Sequence, residues 1–319
     1  MESHPAPRSE AVLRPPKLQA GDRVRFVSPA STPDRDAVMR AAGVLESWGL
    51  LVDFGPHAFH KWGYLAGTDE QRLSDLNDAF RDPQVRTIFA TRGGKGSYRI
   101  ADGIDFEAVR RDPKPLVGFS DITILHLALW KQCRLVCIAG GLMGDSLGGP
   151  PGETNSALLR RLLTCEDDIV LEARPEEPTH ALTTHGMARG RLIGGNLELV
   201  ATAAGWSLPD LRGAILMLEA ISLHRGQVDR NLTMLRKAGH LDGLAGIAVG
   251  QFTGFDLKLR PSVIDILRDH LRRLDVPILG GLPVGHGERA LSIPHGAMAT
   301  LDASAQTLTI LGREEQTED

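Results

Sequence analysis

Short apolar runs alternate with amphipathic stretches through the first half of the chain, and this alternation limits the fold more than any other feature. Residues 23–28 (Arg-Val-Arg-Phe-Val-Ser), 51–54, 85–90 and 115–119 read as strands. Residues 34–48 and 70–80 carry apolar side chains at helical spacing, and Thr68 stands where an N-cap belongs. A helix over 122–130 and a strand over 135–138 follow. Strands separated by helices imply βαβ units, hence a parallel sheet covered on both faces.

Between residues 148 and 185 the texture changes. Gly148-Gly-Pro-Pro-Gly and Ala173-Arg-Pro-Glu-Glu-Pro are turn-rich, with one short helical pattern between them. Beyond lie strands at 190–196, 214–218, 246–250 and 277–279, helices at 227–238 and 262–273, and short alternating strands over 290–311. The expected division is a disordered tail over 1–16, a first domain over 17–150, a connection over 151–188, a second α/β domain over 189–312, and a tail over 313–319.

Lys and Arg number 36 and Asp and Glu 40 among 319 residues, a net charge of −4. A chain so balanced lacks the basic excess with which a nucleic-acid binder offsets phosphate charge. No apolar run reaches the length of a membrane span, and the N-terminus has no basic start followed by an apolar stretch, so neither membrane anchor nor secretory signal is expected. Cys133, Cys137 and Cys165 form a sparse, odd set that fits a reducing compartment, and the cytoplasm is the expected location. Cys133 and Cys137 read as core residues. Glycine, at 35 residues, is well above the average of about 7% and points to tight turns or close backbone approaches.

Four places could carry chemistry. Thr91-Arg-Gly-Gly-Lys-Gly follows a strand directly, where glycines let backbone N–H groups face an anion or simply make a turn. It is neither a Walker loop nor a dinucleotide fingerprint, because Gly96 follows Lys95 and Arg99 takes the third glycine position. Gly118-Phe-Ser-Asp lies where a strand meets a helix, so Ser120 is either an N-cap or a nucleophile on a sharp elbow, although Ile122 replaces the last glycine of G-x-S-x-G. Glu219 closes a strand, at the edge where α/β proteins place ligands or where a surface ion pair would sit. His286 stands in the loop Pro283-Val-Gly-His-Gly.

Metal sites find little support. His57 and His60 lack further ligands at recognisable spacing. His286-Gly-Glu288 imitates a zinc-deaminase H-x-E, but no Pro-Cys-x-x-Cys accompanies it. The order Ser120, Glu219, His286 suits nucleophilic acyl transfer, in which histidine takes the serine proton and a carboxylate orients the ring.

Several longer blocks carry a resemblance. Gly63-Tyr-Leu-Ala-Gly-Thr-Asp-Glu-Gln-Arg-Leu, Arg92-Gly-Gly-Lys-Gly-Ser, Lys114-Pro-Leu-Val-Gly-Phe-Ser-Asp, Gly194-Gly-Asn-Leu, Ile215-Leu-Met-Leu-Glu, Val228-Asp-Arg-Asn-Leu-Thr and Gly285-His occur in order. Together they resemble the LD-carboxypeptidases and microcin C self-immunity peptidases from about residue 17 to 311. The resemblance implies a flavodoxin-like parallel-sheet N-terminal domain and a smaller α/β C-terminal domain with a β-barrel-like part. It also implies a metal- and cofactor-free serine peptidase, usually a homodimer. Carried over by position, Ser120 is the nucleophile, His286 the general base and Glu219 its orienting carboxylate. The oxyanion hole would use the backbone N–H groups of Gly94 and Asp121. Arg92 and Lys95, beside the elbow in this sequence, are candidate substrate contacts that the family pattern does not supply.

Three positions depart from the family's pattern: Lys95 stands for an aromatic, Ala139-Gly-Gly for His-Gly-Pro, and Ala220 for an acidic residue. Lys95 either pairs with a substrate carboxylate or phosphate or extends into solvent. The leading expectation is a cytoplasmic LD-carboxypeptidase of peptidoglycan recycling, cutting the bond before a terminal D-alanine in murein tetrapeptides. The rival is a self-immunity or biosynthetic hydrolase of a peptidyl-nucleotide or related amide, weakened by the absence of Phe, Tyr and Trp between residues 148 and 188. A non-catalytic binding protein of the same fold is a further alternative, which the intact Ser-Glu-His set disfavours. A lipase-type α/β-hydrolase is disfavoured by the missing G-x-S-x-G.

Overall fold

The computed structural model describes residues 11–142 and 150–312. The N-terminal sequence yields strands β1 (Arg23–Val27), β2 (Leu51–Phe54), β3 (Val85–Ala90), β4 (Leu116–Gly118) and β5 (Cys137–Ala139). Between and beside them run helices α1 (Arg35–Ser47), α2 (Asp69–Arg81), α3 (Phe106–Arg111) and α4 (Thr123–Cys133). The five strands are parallel in the order β2-β1-β3-β4-β5, the flavodoxin-like order whose direction reverses between β1 and β3. Ligands in such sheets bind at the carboxyl ends of the strands near that reversal. Thr68 caps α2 as its sequence predicts, accepting from the Gln71 N–H while the Gln71 side chain accepts from the Thr68 N–H.

The second half holds α5 (Pro150–Thr164), β6 (Ile169–Glu172), β7 (Met187–Asn196), α6 (Leu197–Thr202), β8 (Ile215–Ile221), α7 (Arg225–Lys237), β9 (Gly246–Thr253), α8 (Val263–Leu271) and β10 (Ile278–Leu279). It closes with β11 (Ile293–His295), β12 (Met298–Asp302) and β13 (Thr307–Ile310). Seven strands form a curled half-barrel sheet, β10-β9-β8-β7-β12-β13-β6, parallel from β10 to β7 and antiparallel beyond. Residues 151–188, read as a connection, thus contribute α5 and the edge strand β6 to the packed fold.

The two sheets are not closed units. β11 leaves the second half and pairs antiparallel with β5, completing the first sheet at its edge. Helix α4 (Thr-Ile-Leu-His-Leu-Ala-Leu-Trp-Lys-Gln-Cys) is apolar nearly all round, and only Lys131 and Gln132 are exposed. A helix without a polar face must be covered on every side, and α4 lies between the first sheet and β7 with α6. One apolar cluster accordingly takes in Ile88 and Leu116, Leu125 and Leu129 of α4, and Leu216 and Val249 of the second sheet.

Two expectations change here. Residues 11–16 run along the first sheet rather than as a tail, because Leu13 bridges Leu135 and exchanges hydrogen bonds with Arg134 and Val136 at 3.0 and 2.9 Å. β5 begins at Cys137 rather than at 135, and Leu135 stands ahead of it as an isolated bridge to Leu13. The remaining tail residues 1–10 and 313–319, with Gly148 and Gly149 of the turn-rich stretch, lie outside the described residues.

Candidate active site

Ser120 follows β4 by two residues and has φ 63°, a left-handed backbone that a residue with a Cβ rarely adopts. The turn is held from the neighbouring loop. A Cβ on Gly93 would lie 2.8 Å from Ser120 Cβ and 3.0 Å from the Phe119 carbonyl oxygen, so only glycine lets the two turns pack. Ser120 makes no cap bond: Phe119 and Ile122 occupy the cap positions of the 3-10 turn Ser120–Ile122 and of α4. The capping alternative is therefore not what the chain builds. A strained serine at a strand-to-helix elbow presents its hydroxyl to the cleft above the sheet.

Glu219 lies near the end of β8, 4% exposed, at a register shift between Leu218 and Ala220. Such a bulge re-aims a side chain. Glu219 points at His286 instead of forming a surface ion pair. The His286 Nδ1–H donates to Glu219 Oε2 at 2.6 Å, and Asn196 Nδ2 donates to Oε1 at 3.0 Å. Both carboxylate oxygens are thus satisfied without a Lys or Arg partner. Gly285 allows the approach, since a Cβ there would lie 3.1 Å from Glu219 Oε2. The His286 ring packs at 5.1 Å on Phe119, beside the serine. Its loop is anchored by the Gly287 N–H donating to Gln251 Oε1 at 2.8 Å, while Gln251 Nε2 donates to Glu177 at 2.7 Å.

Ser120 and His286 line one open cleft of about 670 Å³ with Arg92, Gly93, Gly94, Lys95, Asn196 and Glu198. The serine and histidine share the cleft but are not in direct hydrogen bond, and such bonds commonly tighten only around substrate. Gly94 has φ 112°, a conformation glycine alone takes easily, and a Cβ there would collide with Ser31 Oγ. Its N–H has no acceptor among the described residues. The Lys95 N–H donates to Ser31 Oγ at 3.0 Å, Lys95 Nζ meets Glu198 Oε2 at 3.1 Å, and Arg92 reaches the Thr32 carbonyl at 3.4 Å.

Asp121 is buried, and its side chain serves the loop rather than the cleft. It accepts the Ser97 N–H at 2.8 Å, while burial pushes its carboxyl above the usual carboxylate range. His57 donates to Asp75 at 2.7 Å and packs edge-on against His60. Among the described residues no three His, Cys, Asp or Glu side chains are placed to share a metal. Cys133 and Cys137 are buried thiols, and Cys133 Sγ donates to the Phe106 carbonyl oxygen at 3.7 Å. No described helix is long and apolar enough to cross a membrane.

Three site residues carried no role in the sequence reading. Asn196 ends β7 and stands in register with Glu219 on β8, so adjacent parallel strands deliver both to one edge. Thr123 Oγ1 accepts the Asn196 N–H at 3.1 Å, joining the start of α4 to that edge. Gly93 holds the elbow. An asparagine closing a glycine-rich strand, parallel to the strand that ends in Glu219, was the available signal for the first.

Residues 24–140 match the LD-carboxypeptidase N-terminal domain, and residues 189–301 match the LD-carboxypeptidase C-terminal domain. The chain is 34% identical over 301 residues to the probable murein peptide carboxypeptidase of Bacillus subtilis, covering 93% of this chain and 94% of that protein. It is 25% identical over 342 residues to the microcin C7 self-immunity protein MccF of Escherichia coli, covering 97% of each. The crystal structure of a muramoyltetrapeptide carboxypeptidase from Oxalobacter formigenes superposes with a TM-score of 0.78 at 26% identity, over 90% of this chain and 97% of that one.

Proposed function

Because the chain belongs to the LD-carboxypeptidase family and is a serine-type carboxypeptidase-like hydrolase, we propose that it hydrolyses the amide bond before a terminal D-amino acid in murein tetrapeptides, through an acyl-enzyme on Ser120. The observation that carries the reading is the 2.6 Å bond from His286 to a buried, doubly hydrogen-bonded Glu219, set in the same cleft as a serine at φ 63°.

The roles follow from the atoms. Glu219 accepts the Nδ1 proton of His286, which leaves Nε2 free to act as the base. His286 takes the Ser120 proton as Oγ attacks the carbonyl carbon. The oxyanion lies against the N–H groups of Gly94 and Asp121, with α4 contributing the positive end of its dipole. His286 then protonates the departing amine, and a water attacks the acyl-serine by the same route in reverse.

The reaction belongs in the cytoplasm on this reading, where free cysteines stay reduced, and the assembly the resemblance implies is a homodimer. A peptidyl-nucleotide amide is the second reading, favoured by the likeness to the self-immunity protein along the whole chain. Release of D-alanine from a murein tetrapeptide by the purified protein, and its loss in Ser120→Ala, tests the first reading. Cleavage of an aminoacyl sulfamoyl nucleoside with no D-alanine release would favour the second.

A further inference from the structure

The cleft brings together two opposite charges that no catalytic step uses. Lys95 leaves the glycine-rich turn of the first sheet, and Glu198 lies in the first turn of α6, two residues after Asn196. Their side chains meet across the cleft at 3.1 Å, with Lys95 57% and Glu198 34% exposed. An ion pair this open to water is worth little by itself, so a competing carboxylate exchanges with it readily. The backbone on both sides is fixed, by Ser31 at Lys95 and by Thr123 at Asn196. The turn that carries Lys95 is thereby held in the cleft that Ser120 lines, while the partner of its ammonium is replaceable. Arg92, the other cation lining the cleft, is turned back to the Thr32 carbonyl.

A carboxypeptidase must distinguish a free terminal carboxylate from a continuing chain, and a positioned cation is the direct means. We propose that Lys95 reads the terminal carboxylate of the substrate and that Glu198 stands in for that carboxylate while the cleft is empty. Substrate entry swaps one carboxylate for another at Nζ, and the displaced Glu198 turns to solvent. Lys95 is thus a specificity residue, distinct from Ser120 and His286, which carry the bond chemistry, and from Glu219, which orients the imidazole. The assignment rests on the carboxypeptidase reading above, and its test is separable from that reading.

Calorimetric titration of the full-length Ser120→Ala protein with a D-alanine-terminated murein tetrapeptide and with its C-terminal amide measures recognition without turnover. The free acid should bind about tenfold more tightly than the amide, the scale of one hydrogen bond to a charged group. In Ser120→Ala/Lys95→Met the preference should vanish through loss of acid binding alone, with amide binding unchanged. In Ser120→Ala/Glu198→Gln, acid binding should strengthen severalfold because the competing carboxylate is gone. Equal binding of acid and amide, no binding of the acid, or a preference that survives Lys95→Met would overturn the assignment. D-Alanine release by the wild-type protein is scored separately. Release with a Lys95-independent preference sinks the Lys95 role alone, whereas a Lys95-dependent preference without release sinks the catalytic reading alone.

Discussion

Thr123 and Asn196 join the two halves of the candidate site through one hydrogen bond: the Asn196 N–H donates to Thr123 Oγ1 at 3.1 Å. Thr123 follows Ser120 by three residues, and Asn196 holds Glu219 by its side chain. The serine's helix and the carboxylate's strand therefore share a fixed point. Thr123→Val removes the acceptor at nearly constant volume and strands a buried N–H, at a cost of about 1–3 kcal/mol. We expect kcat to fall by about tenfold or more, because small displacements at reacting atoms cost large factors in rate. Steady-state kinetics with chemical denaturation checks both numbers, and unchanged kcat would show that the bond does not align the site.

Ser120→Gly should separate strain from chemistry. Glycine adopts φ 63° freely, so the variant gains up to about 1 kcal/mol of stability, the left-handed cost of a residue with a Cβ. Losing the hydroxyl should lower turnover by several orders of magnitude. A raised melting temperature with no activity is the expected pair of results.

Gly93→Ala should do the opposite. Its new methyl would press on Ser120 Cβ at 2.8 Å and on backbone at Phe119, so the elbow must shift. Activity should drop at least a hundredfold while circular dichroism stays native. Retained activity would show that the elbow yields without harm.

Acid should destabilise the protein through two buried histidines. Burial lowers His126 to about 4 and His295 well below its ordinary value, and their rings stack at 5.5 Å. A depressed histidine binds its proton less well folded than unfolded, so its contribution is intact above about pH 6.5 and is lost as pH falls. For His126 the loss spans about pH 6.5 to 4 and is on the order of 3 kcal/mol. Denaturant midpoints should therefore fall across that interval, and less steeply in His295→Leu. A flat profile would contradict the burial of both rings.

Cys137 offers a chemical check on the same core. Burial pushes its thiol up to about 12, so no reactive thiolate exists near neutral pH. Alkylation of the native protein should label Cys165 alone, with Cys133 and Cys137 reacting only after unfolding, as mass spectrometry would read.

Local pattern reveals most of the strands, because apolar runs and caps such as Thr68 act within a few residues. Ser120, Glu219 and His286 were visible as candidates since each stands where a strand gives way to a turn or helix. Asn196 and Thr123 were not, because their roles arise only when α4 packs against the end of β7. Likewise Leu13 reads as part of a disordered tail until Leu135 is beside it. Ile293 shows an ordinary strand pattern, and nothing local says that its partner is Ala139 in the other sheet.

That last pairing bears on how the molecule comes to exist. A ribosome releases β5 long before β11, so the nascent first sheet carries an open edge through most of the synthesis of the second half. An unpaired edge is a template for other chains, and domains that finish late are exposed to misassembly. The nascent chain cannot complete the sheet that carries its serine until the histidine loop has already been made. The order of synthesis thus withholds a finished peptidase from the cell until its last strands emerge.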